Sequence, residues 1–281
     1  MTTPKLPSPS ANHTHSPEGR SRYQARRTAA DSAPRARLVE AVSVVLIVGA
    51  ALAAWEIAVR VAGTPAYLLP TPSLVARTLA ANAPRYLNAA LVTLLEALVG
   101  LTLGLGVGAL VAIAITFWRR LERGVLALAI LVKATPIVAV TPLLIIWLGF
   151  GPVPKIIVIA LMTFFPILVN VHVGLRSTDT AVLDLFHSLS ASRWELFRHA
   201  QWPSALPFLC AALRVTGPLA LVGAVVAEWA GASAGLGRTM WLAYTNLNMP
   251  SLFAAVFCSA IMGIGLYGLV VAVEARIIFW D

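Results

Sequence analysis

Residues 87–117 read LNAALVTLLEALVGLTLGLGVGALVAIAITF, an apolar run broken by one charge, Glu96. About 20 apolar residues suffice for a helix to cross a bilayer's hydrocarbon core, and this run exceeds that. Gly100, Gly104 and Gly108 recur at every fourth position, a spacing that lets a neighbouring backbone approach closely inside a membrane. Five more apolar stretches lie around it, at about 38–62, 125–148, 153–175, 204–230 and 251–278. Together they predict an all-α membrane protein with six transmembrane helices. Pro136 and Pro142 interrupt the third stretch, Pro166 the fourth and Pro218 the fifth; such breaks survive where protein or a water-filled path satisfies the freed backbone.

Composition agrees with a bilayer as solvent. The 281 residues are 59% hydrophobic and 12% charged, against roughly 25% charged in an ordinary soluble domain. The net charge of +9 would suit nucleic acid, but the cations are placed otherwise. Seven of the 21 Lys and Arg precede Leu38, and Arg119, Arg120, Arg123, Arg176, Arg193, Arg198 and Arg276 fall on the same side of a six-crossing chain, giving fourteen. Arg60, Arg77, Arg85, Lys155 and Arg238 fall on the other side. The richer face is expected to be cytoplasmic, with both termini on it, and no nucleic-acid groove is implied.

Residues 1–37, rich in Ser, Pro, Ala, Thr and Arg without apolar periodicity, are expected to form a disordered basic cytoplasmic tail, followed by a six-helix transmembrane domain over 38–281. His13 with His15 and the Arg26-Arg27 pair are read as parts of that solvated tail, so no metal site is expected there. Cys210 and Cys258 both lie in apolar runs, where a cysteine serves as a small hydrophobe.

Three connections on the outer face, 63–86, 149–152 and 231–250, are dense in helix breakers. The inner loop 176–203 is the informative one. From Ala181 to Pro207 it reads AVLDLFHSLSASRWELFRHAQWPSALP. Apolar spacings of three and four predict two short amphipathic helices, broken around Ser190 to Ser192 and closed by Pro203. Their apolar face has two outlets, the membrane surface or a groove on a partner protein.

Asp184-Leu185-Phe186, three residues, Ser190, nine residues, Ala200 and then Trp202-Pro203 resemble the EAA loop of binding-protein-dependent ABC importer permeases. That family's pattern is Glu-Ala-Ala, three residues, Gly, nine residues, Ile, one residue, Leu-Pro; Asp184, Phe186 and Ser190 depart from it. The stretches 68–73, 135–151 and 223–237 are similar to the nitrate, sulfonate and taurine branch. Met262 to Gly268 with Glu274 and Trp280 look like its members that carry vitamins and precursors such as riboflavin and hydroxymethylpyrimidine.

The resemblance implies a type I ABC importer permease in the bacterial cytoplasmic membrane, with a cytoplasmic helical coupling loop at about 181–203. It implies ABC ATPase subunits, an extracytoplasmic solute-binding protein and a second permease copy, most simply a homodimer, as partners. Asp184, Leu185, Phe186, Ser190, Arg193, Trp194, Phe197 and Pro203 would then receive the ATPases. No cofactor is expected in this chain, ATP and magnesium belonging to the partner.

Charges at membrane depth are costly, so each asks for a function. Lys133 and Arg214 lie at similar depths from the cytoplasmic side and are candidates for the translocation path, attracting an anionic solute, or else for bonding carbonyls freed at nearby prolines. Glu96 and Glu228, near the outer ends of their spans, are further path candidates, or structural partners of Arg60, Arg85 or Arg238. No nucleotide-binding loop is present, since none of the three lysines follows a glycine. Gly263, Gly265 and Gly268 match a dinucleotide fingerprint, but inside a span they are read as helix packing.

An ion-coupled secondary transporter is the rival reading; it would need midplane coupling groups and usually an internal repeat. A membrane enzyme would need a catalytic constellation. None is visible: His172, His187 and His199 fall at or near cytoplasmic ends and are read as solvated imidazoles, so no catalytic residue is assigned.

Overall fold

The computed structural model describes residues 42–277, so the tail 1–37 and Trp280 lie outside the described residues. All regular structure among the described residues is helical. The chain divides into two units at Val61. The first contributes helix α1, Val42–Val61, in which Arg60 pairs with Glu56 one turn earlier at 2.5 Å.

The second unit contains ten helices among its described residues: α2 (Pro72–Ala81), α3 (Ala83–Phe117), α4 (Glu122–Ala134), α5 (Ile137–Leu148), α6 (Pro152–Arg176), α7 (Thr180–Ser188), α8 (Arg193–Leu196), α9 (Trp202–Gly231), α10 (Leu236–Thr245) and α11 (Met249–Ile277). α3 and α6 lie side by side and parallel. Gly100 meets Ile159, Gly104 meets Ala160 and Thr163, and Gly108 meets Phe164 and Ile167. A β-carbon at Gly100 would stand 2.5 Å from that of Ile159, so this seam requires the missing side chains. α9 runs antiparallel to both, with Gly174 of α6 against Ala205 and Phe208, and Gly223 against Ile159 and Met162. α11 is antiparallel to α9, since Gly217 faces Leu266 and Val270.

These directions bring the starts of α3, α6 and α11 and the end of α9 to one end of the bundle. α2 and α10 cover that end through Val75, Tyr86, Leu236, Met240, Ala254 and Ala255. The opposite end carries α7 and α8. Ile159, Ile167, Leu168 and Leu175 are completely buried between the helices. Leu95, Leu103, Leu110 and Ile264 are exposed, as the lipid-facing side of a membrane helix should be.

Five described helices are long and apolar enough to cross a membrane, and α4 with α5, counted as one span bent by 88° at Thr135-Pro136, makes the expected six. Pro136 has no N–H to continue the ladder, and the Thr135 N–H closes α4 onto Leu131 and Val132. The outer connections 63–86 and 231–250 are not merely loops, since they contain α2 and α10. Pro203 does not close the second loop helix: the chain stays helical from Arg193 to Gly231. A wide π-turn, Phe197–Gln201, precedes the proline, which sits in the first turn of α9 where its missing N–H costs little. Among the described residues, a β-carbon added at Gly265 or Gly268 would meet nothing within 4 Å, so the packing expected of them is not seen there.

Candidate functional site

The loop between α6 and α9 is built by local hydrogen bonding. Asp179 caps α7, accepting from the Ala181 N–H at 2.9 Å. α7 ends where the Ala191 N–H donates to the Phe186 carbonyl and the Ser190 N–H to that of His187, each at 3.0 Å. This closure requires a left-handed residue, and Ser190 takes it with φ 54° at the position where the resembled pattern has glycine. Ser192 then opens α8: its hydroxyl accepts from the Glu195 N–H at 3.2 Å, and its own N–H donates to the Glu195 carboxylate at 2.7 Å. That reciprocal cap is written locally in the sequence as Ser-x-x-Glu.

Leu185, Leu189 and Trp194 stand exposed on the loop, at 55%, 69% and 58%. Asp184 and Arg193 are also exposed, and Phe186 is half-buried. Phe197, expected on the docking face, is instead 7% exposed. Its ring packs at 5.4 Å from those of Phe117 and Trp194 and 6.1 Å from that of Trp202. Phe197 therefore roots the loop on the end of α3, leaving Leu185, Leu189 and Trp194 outward. A cavity of about 700 Å³ separates loop from bundle, lined in part by Arg119, Arg176, His187 and Arg193.

At the same end stands Glu122, the acid within the Arg-rich turn, which no sequence pattern singles out. It accepts from Arg176 at 2.5 Å and lies 3.2 Å from His172 Nε2. His172 is thus buried beside a carboxylate, not solvated as expected.

The four intramembrane charges are placed differently from their expected pairings. Glu96 pairs with Lys155, both nearly fully buried, and not with Arg85 or Arg238. Lys155 is therefore not the surface cation of the outer face that its place in the sequence predicts. Glu228 is completely buried. One of its oxygens accepts from the Thr93 hydroxyl at 2.8 Å and the other from the Gly237 N–H at 2.5 Å. Thr93 Oγ1 in turn accepts from the Leu236 N–H at 2.8 Å. A carboxylate from α9 and a hydroxyl from α3 thereby satisfy the first N–H groups of α10, where a negative charge is also favoured by the helix dipole. Gly235, at φ 112°, lies where any β-carbon would collide with that carboxylate. Glu96 and Lys155 lie within the electrostatic reach of Glu228, so α3, α6, α9 and α10 meet in one buried polar cluster.

Lys133 and Arg214 do not form a shared anion site. Arg214 pairs with Glu274 of α11 at 2.5 Å. The Lys133 ammonium lies over the Phe165 ring, 4.7 Å from its centre, and beside a cavity of about 390 Å³ at the α4–α5 break.

Comparison with known proteins matches residues 79–279 to the family described as binding-protein-dependent transport system inner membrane component. The formylaminopyrimidine transport permease protein ThiX of Halalkalibacterium halodurans is 34% identical over 80% of this chain and 90% of its own length. The riboflavin transport system permease protein RibX of Chloroflexus aurantiacus is 34% identical over 81% and 85%. The putative aliphatic sulfonates transport permease protein SsuC of Bacillus subtilis is 29% identical over 82% and 84%. Among solved structures, the crystal structure of an amino acid ABC transporter with histidines superposes with a TM-score of 0.58 at 15% identity, covering 71% of this chain and 97% of that one. An inward-facing form of the MetNI methionine ABC transporter gives 0.52 at 19%, covering 68% and 95%; at such identities these two speak for the fold alone. A helical bundle with apolar outward faces, a capped loop and a family match across most of its length place this chain among the binding-protein-dependent inner membrane components, the permease subunits of ABC importers.

Proposed function

We propose that this permease imports a vitamin or vitamin precursor with a heteroaromatic ring, of the pyrimidine or flavin kind, delivered by an extracytoplasmic binding protein. The observation that carries the reading is equal identity, 34%, to a formylaminopyrimidine and a riboflavin permease over four fifths of the chain, against 29% to a sulfonate permease. The α7/α8 end faces the cytoplasm, because it carries the Arg-rich turn 119–123 together with Arg176, Arg193 and Arg198; both termini then lie on that side.

ABC ATPase subunits, which bind ATP and magnesium, dock on Leu185, Leu189 and Trp194, with Asp184 and Arg193 at the rim. Phe197 and Pro203 pass their movement rigidly into α9, and Ser190 sets the angle between the two loop helices. Two copies of this chain enclose the path. Glu96 and Glu228 act in this reading as structural anchors, and Arg214 ties α9 to α11 through Glu274.

The test is reconstitution of the permease with its ATPase and binding protein in proteoliposomes, measuring ATP-dependent uptake of hydroxymethylpyrimidine, riboflavin and taurine. Uptake of a ring-bearing vitamin solute is expected. Taurine uptake without either of the others would overturn the substrate reading, and ATP-independent, ion-driven uptake would favour a secondary transporter instead.

A further inference from the structure

We infer that the cavity at the broken third crossing is a solute subsite, in which Lys133 donates hydrogen bonds to the acceptor edge of a single planar heteroaromatic ring. The inference rests on the transport reading and narrows it from ring-bearing vitamins to a one-ring solute of the pyrimidine class.

The break itself is the first argument. Thr135 and Pro136 are exposed, non-helical backbone between two apolar helices bent by 88°. Irregular backbone at membrane depth is tolerated where it is covered by protein or lines a water-filled cavity, not against lipid. A cavity of about 390 Å³ is present at that place, near the small end of the range for ligand pockets. It suits one ring with short substituents better than three fused rings with a polyol chain.

Its lining is the second argument. Ile137, Leu161, Met162 and Leu219 are apolar, and Met accommodates aromatic faces well. The Thr135 hydroxyl is committed to the Leu131 carbonyl at 3.0 Å. Lys133 supplies the one charge in the lining, and among the described residues no carboxylate forms an ion pair with it. It rests on the face of Phe165, which attracts the cation without accepting three directed hydrogen bonds. A ring nitrogen or carbonyl of an entering solute offers Lys133 those bonds, while the ring's two faces lie against Leu161, Met162 and Leu219. Taurine has an acceptor group but no apolar face with which to cover these side chains.

The complete importer, with ATPase and binding protein in proteoliposomes, is the assay, with hydroxymethylpyrimidine and taurine as probes. Lys133→Met should lower pyrimidine uptake by about tenfold, the equivalent of one lost directed interaction, while membrane insertion and ATPase co-purification stay unchanged. Lys133→Arg, which keeps a donor, should retain most of the rate. Met162→Trp fills the cavity without touching the charge, and because Met162 also packs on Gly223 of α9, its uptake is read in protein whose insertion and ATPase co-purification match wild type; it should also depress uptake, and it gives a reading even where Lys133→Met fails to insert. Wild-type pyrimidine uptake accompanied by wild-type rate and KM in Lys133→Met and Met162→Trp would overturn the subsite and leave the transport reading standing. Taurine uptake by the wild type with no uptake of the pyrimidine would overturn both.

Discussion

At the α2/α10 end of the bundle, Glu228, Glu96, Lys155 and Thr93 are buried and each has a partner on another helix. At the α7/α8 end, Leu189 and Trp194 are exposed, and Asp184 and Arg193 stand in solvent. The first end pairs most of its polar groups internally, the Glu96 Oε2 oxygen excepted, and α10 cannot leave α9 and α3 without exposing unpaired N–H groups and a carboxylate. The second end satisfies its backbone locally, through the Asp179 and Ser192 caps, and leaves side chains for another surface to cover. A fixed scaffold at one end and an incomplete surface at the other is the division of labour a subunit needs when force is applied from one side.

The comparison breaks most sharply if the buried end is not a scaffold. Glu228→Ala leaves the Gly237 N–H without its acceptor, returns the Thr93 hydroxyl to the Ala89 carbonyl alone and opens a void. A loss of about 3 kcal/mol follows from one unsatisfied buried donor together with the void. In nanodiscs the melting temperature should fall by about 6 °C or more, and Gly235→Ala should fall similarly because its β-carbon would collide with the same carboxylate. Glu228→Gln, isosteric but with one acceptor oxygen, should lie between. Melting within a degree of wild type for both Glu228→Ala and Gly235→Ala would refute the scaffold.

The Glu96–Lys155 pair should respond less simply. Lys155→Met leaves Glu96 buried without its cation and should cost about 3 kcal/mol, whereas Glu96→Leu with Lys155→Met removes both charges and should restore most of the loss. A double variant as unstable as the sum of the two singles would mean the pair makes no coupled contribution.

How much of this was legible in sequence depends on range. The crossings were readable because apolar runs carry their own signal, and the loop because its spacing is local. Its reciprocal cap was equally local: Ser192 and Glu195 are three residues apart. The partners of Glu96 and Glu228 were not readable. Thr93 lies 135 residues from Glu228, and Lys155 lies 59 from Glu96, and nothing in either segment names the other. Lys155 looked like a surface cation because it follows Pro152 and Pro154 at a helix start. Only the parallel packing of α3 on α6, allowed by the three glycines, turns it inward. Phe197 was misplaced for a related reason: periodicity says which residues share a face, but the π-turn rotates that face toward Phe117.

At the exposed end the expected effects fall on association. Leu189→Ala should change stability by less than about 0.5 kcal/mol, as surface substitutions do, and Trp194→Ala by about 1 kcal/mol, because its ring stacks on Phe197. ATPase affinity, measured by titration in nanodiscs, should weaken by about 30-fold for Trp194→Ala if Trp194 is an anchor worth about 2 kcal/mol. Unchanged affinity for both variants would separate the exposed apolar face from docking.

The smallest effects sharpen the comparison, because both ends contain the same backbone device. α7 closes on Ser190 at φ 54°, and α10 closes on Leu247 at φ 52°. In α10 the Asn248 N–H donates to the Ala243 carbonyl at 2.8 Å and the Leu247 N–H to that of Tyr244 at 3.1 Å, the same pair of bonds that ends α7. A left-handed residue with a β-carbon costs about 1–2 kcal/mol, and glycine returns that while losing about 0.5–1 kcal/mol to its greater unfolded freedom. Leu247→Gly and Ser190→Gly should therefore each raise stability by about 0.5 kcal/mol, read as a melting increase of about 1–2 °C. Their functional effects should diverge. Leu247→Gly alters a turn on the scaffold and should leave uptake unchanged. Ser190→Gly loosens the hinge between α7 and α8, the helices proposed to dock the ATPases, so the ratio of solute moved to ATP hydrolysed should shift there and not at Leu247. Equal responses at both sites would mean that this turn is only a helix terminator, and that the angle between α7 and α8 does not enter coupling.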